Sequence, residues 1–156
     1  MGKLAFLLKE PVEYVVQRPV IEQALPHRDP FLFVDEVRLL GEERYMLGLR
    51  RFTGEEAFFK GHFPNYPVVP GVMILECMAQ AVGAAIMQSP KLKGKEAFFM
   101  SIDYAKFRKQ VRPGDLLKIA IEVLRLGKIT KIYAEAYTHN GLCTEAELNF
   151  ILGERE

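Results

Sequence analysis

The segment VMILECMAQAVGAAIMQ (72–88) constrains the fold more than any other part of the chain. It has helical length and is apolar on nearly every face, and such a helix is normally buried on most sides. Glu76, Gln80 and its short length exclude a bilayer span. The helix therefore needs a cover, and the residues after it supply one. AFFMSIDYAKFRK (97–109), DLLKIAIEVLRLG (115–127), ITKIYAEAYTH (129–139) and LCTEAELNFIL (142–152) read as strands, punctuated by RPGD (112–115) and HNGL (139–142). Asn140-Gly141 has the composition of a type I′ hairpin tip. One buried helix ahead of consecutive antiparallel strands is an α+β pattern, not alternating βαβ. A curved sheet wrapped around the helix satisfies both burial patterns.

Upstream, RPVIEQAL (18–25) reads as a short helix with Pro19 at its start, broken by PHRDP (26–30). FLFVDEVRLL (31–40) and RYMLGLRRF (44–52) read as strands joined by a turn at GEE (41–43). Residues 53–71 form a long irregular connection; loops of that length inside compact domains are usually functional or mobile, and this one, rich in Phe, Tyr and Pro, reads either as a packed loop that crosses the core or as one that lines a site. The chain of 156 residues suits a single domain, 1–156. Residues 1–17 form an extra N-terminal segment; one reading of it is a strand that packs on a partner. It is too short and too interrupted by charge for a signal peptide.

The formal net charge is +1, with lysine and arginine spread along the chain. That argues against nucleic acid and against a polybasic membrane surface. Cys77 and Cys143 form no CxxC pair, which fits reduced buried thiols in a cytoplasmic protein. No spacing of His, Cys or Asp suits a metal, and no GxSxG or Gly-rich phosphate loop occurs. No cofactor is expected.

The chemistry concentrates in GHFPNYPVVPGVMILE (61–76). His62 opens it and can move a proton near neutrality. A lone loop histidine is structural more often than catalytic, and His27 and His139 are read that way. Glu76 changes the balance. A carboxylate among Ile74, Leu75, Cys77 and Met78 costs free energy unless paired or neutralised, and desolvation raises its pKa. The alternatives are an exposed helical glutamate or one paired with a strand lysine. Gln80, one turn on, lies on the same face and either orients Glu76 or is a polar edge residue. Gly71 leaves the first-turn N–H groups open to an oxyanion. Base, acid and oxyanion donors together point to proton transfer beside a polarised carbonyl.

LPHRDPFLFVDEV (25–37), FFKGHFPNYPVVPGVMILECMAQ (58–80) and KFRKQVRPGD (106–115) resemble the (3R)-hydroxyacyl-[acyl-carrier-protein] dehydratases of the FabZ type, over about residues 18–152. The resemblance implies a hot-dog fold and the elimination of water from a carrier-bound 3-hydroxyacyl thioester to give the trans-2-enoyl product in fatty-acid synthesis. It assigns proton removal at the α-carbon to His62 and departure of the 3-hydroxyl to Glu76. The carbonyl is assigned to the backbone of Gly71, with Phe63, Val72 and Gln80 beside the substrate. Glutamate rather than aspartate at position 76 favours plain dehydration over dehydration with isomerisation. Phe59, Phe63, Met73 and Phe99 are candidate walls for the acyl chain. The resemblance also implies a homodimer with composite sites, or a hexamer built from dimers. The partner is an acidic acyl-carrier protein, for which Lys106, Arg108, Lys109 and Arg112 are the candidate dock; the alternative reading of these charges is a solvated strand edge kept charged against aggregation. On a strand, Lys106 and Arg108 would face one way and Lys109 the other. Asn65 and Asp29 stand where the family commonly has a glycine and an aromatic residue. Two readings of other kinds are a thioesterase or CoA-linked hydratase, and a non-catalytic acyl-binding module. The latter would be expected to lack His62 or Glu76.

Overall fold

A computed structural model describes residues 2–41 and 44–154. Seven strands form one sheet: β1 (Tyr14–Gln17), β2 (Glu36–Gly41), β3 (Tyr45–Arg51), β4 (Lys95–Phe107), β5 (Leu116–Arg125), β6 (Ile129–Thr138) and β7 (Gly141–Glu154). Their spatial order is β1-β2-β3-β5-β6-β7-β4, and every neighbouring pair is antiparallel. Among the described residues two helices, α1 (Arg18–Ala24) and α2 (Gly71–Ile86), complete the regular structure, with short 3₁₀ turns at Ala5–Lys9 and Ala57–Lys60. The α+β expectation of a central helix in a curved antiparallel sheet holds.

The α2 helix packs on β2, β3, β4 and β5. Ile74, Met78, Ala81 and Val82 meet Val37, Met46, Ile119 and Leu148 in the main core. Each fully buried aliphatic side chain there contributes about 1.5–3 kcal/mol. The helix lies close on the sheet. A Cβ added to Gly48 of β3 would sit 2.8 Å from the Ala81 Cβ, so glycine sets the spacing at that crossing.

The outer face of the sheet is also apolar, at Leu47, Leu49, Ala120 and Tyr133, and it too needs covering. The N-terminal segment does this by burying Leu4 and Leu7 there. The segment is thus a 3₁₀ turn on the chain's own sheet followed by strand β1, which pairs with β2. The expected strand does form, but its pairing is within the chain.

Other departures have local causes. Residues 31–35 form no strand because their backbone is occupied elsewhere. Phe33 N–H donates to Gln80 Oε1 at 2.6 Å, and Phe31 C=O accepts from Gln80 Nε2 at 2.9 Å. Strand β4 stops at Phe107, and the N–H groups of Arg108 and Lys109 both turn onto the Cys143 carbonyl. At the last hairpin, Thr138 pairs with Gly141, leaving His139 and Asn140 as the tip. Gly141 has φ +97° and follows the tip, the position of a bulge glycine rather than of a type I′ centre. Of the turn expected at 41–43, Gly41 ends β2, and residues 42 and 43 lie outside the described residues. No helix among the described residues is long and apolar enough to cross a membrane.

Candidate active site

The loop bearing His62 is held at both ends. Glu56 accepts from Thr53 N–H, Gly54 N–H and Arg50 at its root. At its far end Val69 N–H bonds the Val111 carbonyl at 2.8 Å. The half-buried His62 is pinned through its backbone: its N–H donates to Phe58 C=O and its C=O accepts from Val68 N–H, both at 2.9 Å. Its ring Nδ1 lies 3.0 Å from the Val68 carbonyl. A carbonyl can only accept, so Nδ1 carries the proton of the neutral ring and Nε2 carries the lone pair. Among the described residues Nε2 has no hydrogen-bond partner. Phe63, 50% exposed, stacks on this ring with centroids 4.1 Å apart.

Glu76 projects from the second turn of α2 and keeps 19% of its side chain exposed. Gln80 Nε2 donates to Glu76 Oε2 at 2.7 Å. The amide of Gln80 is itself locked by Phe31 and Phe33, and the side chain is almost wholly buried. Of the two readings of Gln80, the structure therefore builds the orienting one. Oε1 of Glu76 has no partner among the described residues. The Glu76 residue borders a cavity of about 200 Å³ with Leu25, His27, Gln80, Phe98 and Phe99.

His27 is the residue that sequence reasoning missed here. Its Nε2 lies 3.6 Å from Glu76 Oε2. Forty-nine positions separate the two, and no helical or strand spacing links them. His139 stays in its exposed hairpin tip, with Nδ1 3.7 Å from Asp115.

Gly71 is the first residue of α2, and Pro70 before it makes no side-chain cap. First-turn N–H groups have no intrahelical partner and sit at the positive end of the helix. A Cβ at Gly71 would lie 2.6 Å from Phe107 Cε1, so the ring of β4 leaves room only for glycine in this arrangement. Val68, Gly71, Val72, Phe107 and Val111 border a second cavity of about 540 Å³. Among the described residues the two cavities share none. In one chain, then, Gly71 and Val68, the residue whose carbonyl holds His62, border one hollow, while Glu76 borders another.

The candidate acyl walls divide. Phe99 borders the Glu76 cavity, whereas Phe59 is buried in the main core against Phe58 at 4.7 Å, and Met73 packs against that core. The candidate basic dock is largely spoken for within the chain. Arg108 pairs with Glu145 at 3.2 Å, Lys109 Nζ donates to the Asn140 carbonyl at 2.5 Å, and Arg112 lies 4.3 Å from the Tyr66 ring centre. Because β4 has ended, the two-faced alternation expected for Lys106, Arg108 and Lys109 does not hold; Arg108 and Lys109 border the same cavity. Cys77 and Cys143 are free and buried, and burial pushes the Cys77 thiol far up.

Comparison with known proteins agrees with this fold. Residues 25–146 match the FabA-like domain. The fold resembles that of the dehydratase heterocomplex ApeI:P from Xenorhabdus doucetiae, with a TM-score of 0.69 at 16% identity, over 87% of this chain and 91% of that one. In sequence, the chain is 48% identical to the 3-hydroxyacyl-[acyl-carrier-protein] dehydratase FabZ of Desulforamulus reducens, over 86% of this chain and 96% of the relative. It is 46% identical to the FabZ of Pelotomaculum thermopropionicum, over 83% and 94%. The hot-dog domain is thus FabA-like, and within that class the chain belongs to the FabZ family of 3-hydroxyacyl-[acyl-carrier-protein] dehydratases.

Proposed function

We propose that the chain is a hydro-lyase that removes water from a 3-hydroxyacyl group carried on acyl-carrier protein, with His62 as base and Glu76 as acid. The observation that carries this reading is the fixed tautomer of His62: with Nδ1–H on the Val68 carbonyl, Nε2 is a lone pair free to take a proton. His62 Nε2 takes the proton from the carbon next to the thioester. The released electron pair forms the carbon–carbon double bond, and the C3–O bond breaks as the Glu76 proton joins the leaving hydroxyl. The product is the enoyl thioester and one water. Charge that develops on the thioester oxygen is met by the first-turn N–H groups at Gly71 and Val72.

The two cavities of one chain become one site if two chains pair through β4. This strand lies at the sheet edge and exposes Phe98, Phe99, Met100 and Ile102, a free edge of the kind partner strands cover. A two-fold axis near the middle of β4 would carry the Phe107 end of one strand to the Phe99 end of the other. That brings the His62 and Gly71 side of one protomer to the Glu76 cavity of its partner. Arg108 and Lys109 at the rim, with exposed Lys106, are the charges nearest to a docked acidic carrier.

His62→Ala and Glu76→Gln should each lower turnover of a carrier-linked 3-hydroxyacyl substrate about a hundredfold or more with the fold intact. Mixing the two inactive chains under subunit exchange should restore part of the activity, since one site per mixed dimer regains both groups. Near-parental turnover in both variants would overturn the acid–base assignment. Mixed dimers that form yet stay inactive would place both groups on one chain. Release of free thiol instead of enoyl absorbance would favour the thioesterase reading.

A further inference from the structure

We propose that His27 is a positioning residue that, together with Gln80, reserves one oxygen of Glu76 for accepting hydrogen bonds and leaves the acidic proton on the other. The inference rests on the acid role given to Glu76 above. Gln80 Nε2 spends its two hydrogens on the Phe31 carbonyl and on Glu76 Oε2, and its Oε1 on the Phe33 N–H. It has no freedom to turn, so the Oε2 lone pair it meets is filled. His27 Nε2, on the loop after α1, lies 3.6 Å from that same oxygen, just beyond hydrogen-bond distance, and catalytic contacts of this kind tighten when substrate fills the site.

The tautomer of His27 follows from its other nitrogen. Nδ1 is buried and meets no hydrogen-bond partner among the described residues. A proton on Nδ1 would be a buried donor without an acceptor, and an imidazolium would have the same defect with a charge added. The neutral ring with its proton on Nε2 avoids both, and Nε2 is the nitrogen that lies beside Glu76 Oε2. With Gln80 donating to Oε2 and the Nε2–H of His27 set to tighten onto it, Oε2 is the carbonyl-like oxygen of the carboxyl. The O–H of the acid is then Oε1, the oxygen without a hydrogen-bond partner among the described residues. The arrangement gives the leaving hydroxyl one proton donor in one place.

Lys95, Glu96 and Arg28 are the other charged groups near the pair. Lys95 and Glu96, at the head of β4, border the same cavity. Arg28 is turned onto the carbonyls of Glu22, Leu25 and His27. Cys77, next to Glu76 on the helix, is buried.

The test is the pH profile of kcat on a carrier-linked 3-hydroxyacyl substrate for His27→Leu and His27→Gln, beside Glu76→Gln. Leucine removes the donor, and its variant should lose about tenfold in kcat with KM within about twofold, the scale of one hydrogen bond. An N–H donor favours the carboxylate, so its loss raises the acid's pKa and should move the alkaline limb up by roughly half a pH unit or more. Glutamine offers an N–H near the Nε2 position, and its variant should recover most of kcat and return the limb toward the parental pH. A purely structural His27 would lower activity at all pH values with the limb unmoved, or would leave leucine and glutamine equal; either result overturns the inference. If Glu76→Gln keeps parental turnover, the acid assignment fails and this inference with it. If Glu76→Gln is inactive while His27→Leu is parental in rate and profile, only this inference fails.

Discussion

Glu135 and Glu76 are both carboxylates withdrawn from solvent, yet the chain surrounds them in opposite ways. Glu135 sits on the outer face of β6 and has no exposed surface. Its Oε1 accepts from Leu4 N–H and the Tyr137 hydroxyl, both at 2.8 Å, and its Oε2 accepts from the Tyr133 hydroxyl at 2.5 Å. Gly2 packs so closely that a Cβ there would fall 2.2 Å from Oε2. Burial, and then the hydrogen bond to and charge of Glu135, push both tyrosine hydroxyls far above their ordinary range, so these donors keep their protons. Glu76, on the helix side, has one oxygen filled by Gln80 and one without a partner among the described residues, and the residue borders a cavity. A sealed carboxylate ties down a segment, here residues 2–9. A carboxylate with one open oxygen beside a hollow can exchange a proton with something that enters. Burial alone does not separate the two; the number of fixed donors does.

The comparison breaks most sharply in stability. Glu135→Ala strands two hydroxyls and the Leu4 N–H in a dry site, and unpaired buried groups cost about 1–3 kcal/mol each. A loss of about 3 kcal/mol in urea unfolding is expected. Turnover per folded molecule should stay within about twofold, since none of this touches the site. Glu76→Gln should show the reverse, parental unfolding with turnover lost. If Glu135→Ala unfolds like the parent, the outer carboxylate is not sealing the N-terminal segment.

A smaller effect is expected at Gly71, where the open carboxylate's counterpart, the oxyanion position, depends on the absence of a side chain. A methyl there meets the Phe107 ring at 2.6 Å, and the ring, about half exposed, must swing aside. Gly71→Ala should lower kcat about tenfold, equivalent to about 1.4 kcal/mol. Adding Phe107→Leu should recover part of it. If the double variant is no better than the single one, the glycine is needed for the ligand's approach and not for packing against β4.

The legible and illegible parts of this molecule divide along the same line. The α2 helix and strands β5 to β7 were readable because periodicity is local, and their ends fall within a few residues of expectation. His62, Gly71 and Glu76 were readable as candidates because one short stretch carries all three. Residues 31–35 looked like a strand because their apolar run is strand-like, but the competitor for their backbone is Gln80, forty-seven positions from Phe33. His27 and Glu135 were passed over for the same reason. A histidine in a polar loop and a glutamate in an alternating strand look ordinary until the groups they face are known. The role of residues 2–9 was hidden because it depends on apolar residues on the outer face of β3 and β5.

Glu56 offers the finest gradation of the comparison, a filled carboxylate placed at the root of the loop that carries His62. It keeps 12% of its side chain exposed and collects Arg50 at 2.8 Å, Gly54 N–H at 2.9 Å, and Thr53 through both its N–H and its hydroxyl. Burial works to raise its pKa, but the hydrogen bonds from its own N–H, Gly54, Thr53 and Arg50 outweigh it and hold the carboxyl below the ordinary range. A carboxylate depressed in the folded state adds stability above its unfolded pKa, and that share is lost as pH falls through the folded value. Glu56→Gln should therefore cost about 1 kcal/mol at neutral pH, the usual scale of a capping carboxylate. The cost should shrink as the pH is lowered from about 6 to about 3, because the parent then loses the same contribution. Urea unfolding of both proteins across that interval measures it. Turnover at neutral pH should fall by no more than about threefold, since the far end of the loop is still held at Val111. A difference between the two proteins that stays constant with pH would show that Glu56 acts through packing and not through its charge. A loss of turnover on the scale of His62→Ala would show that the loop root governs the base itself.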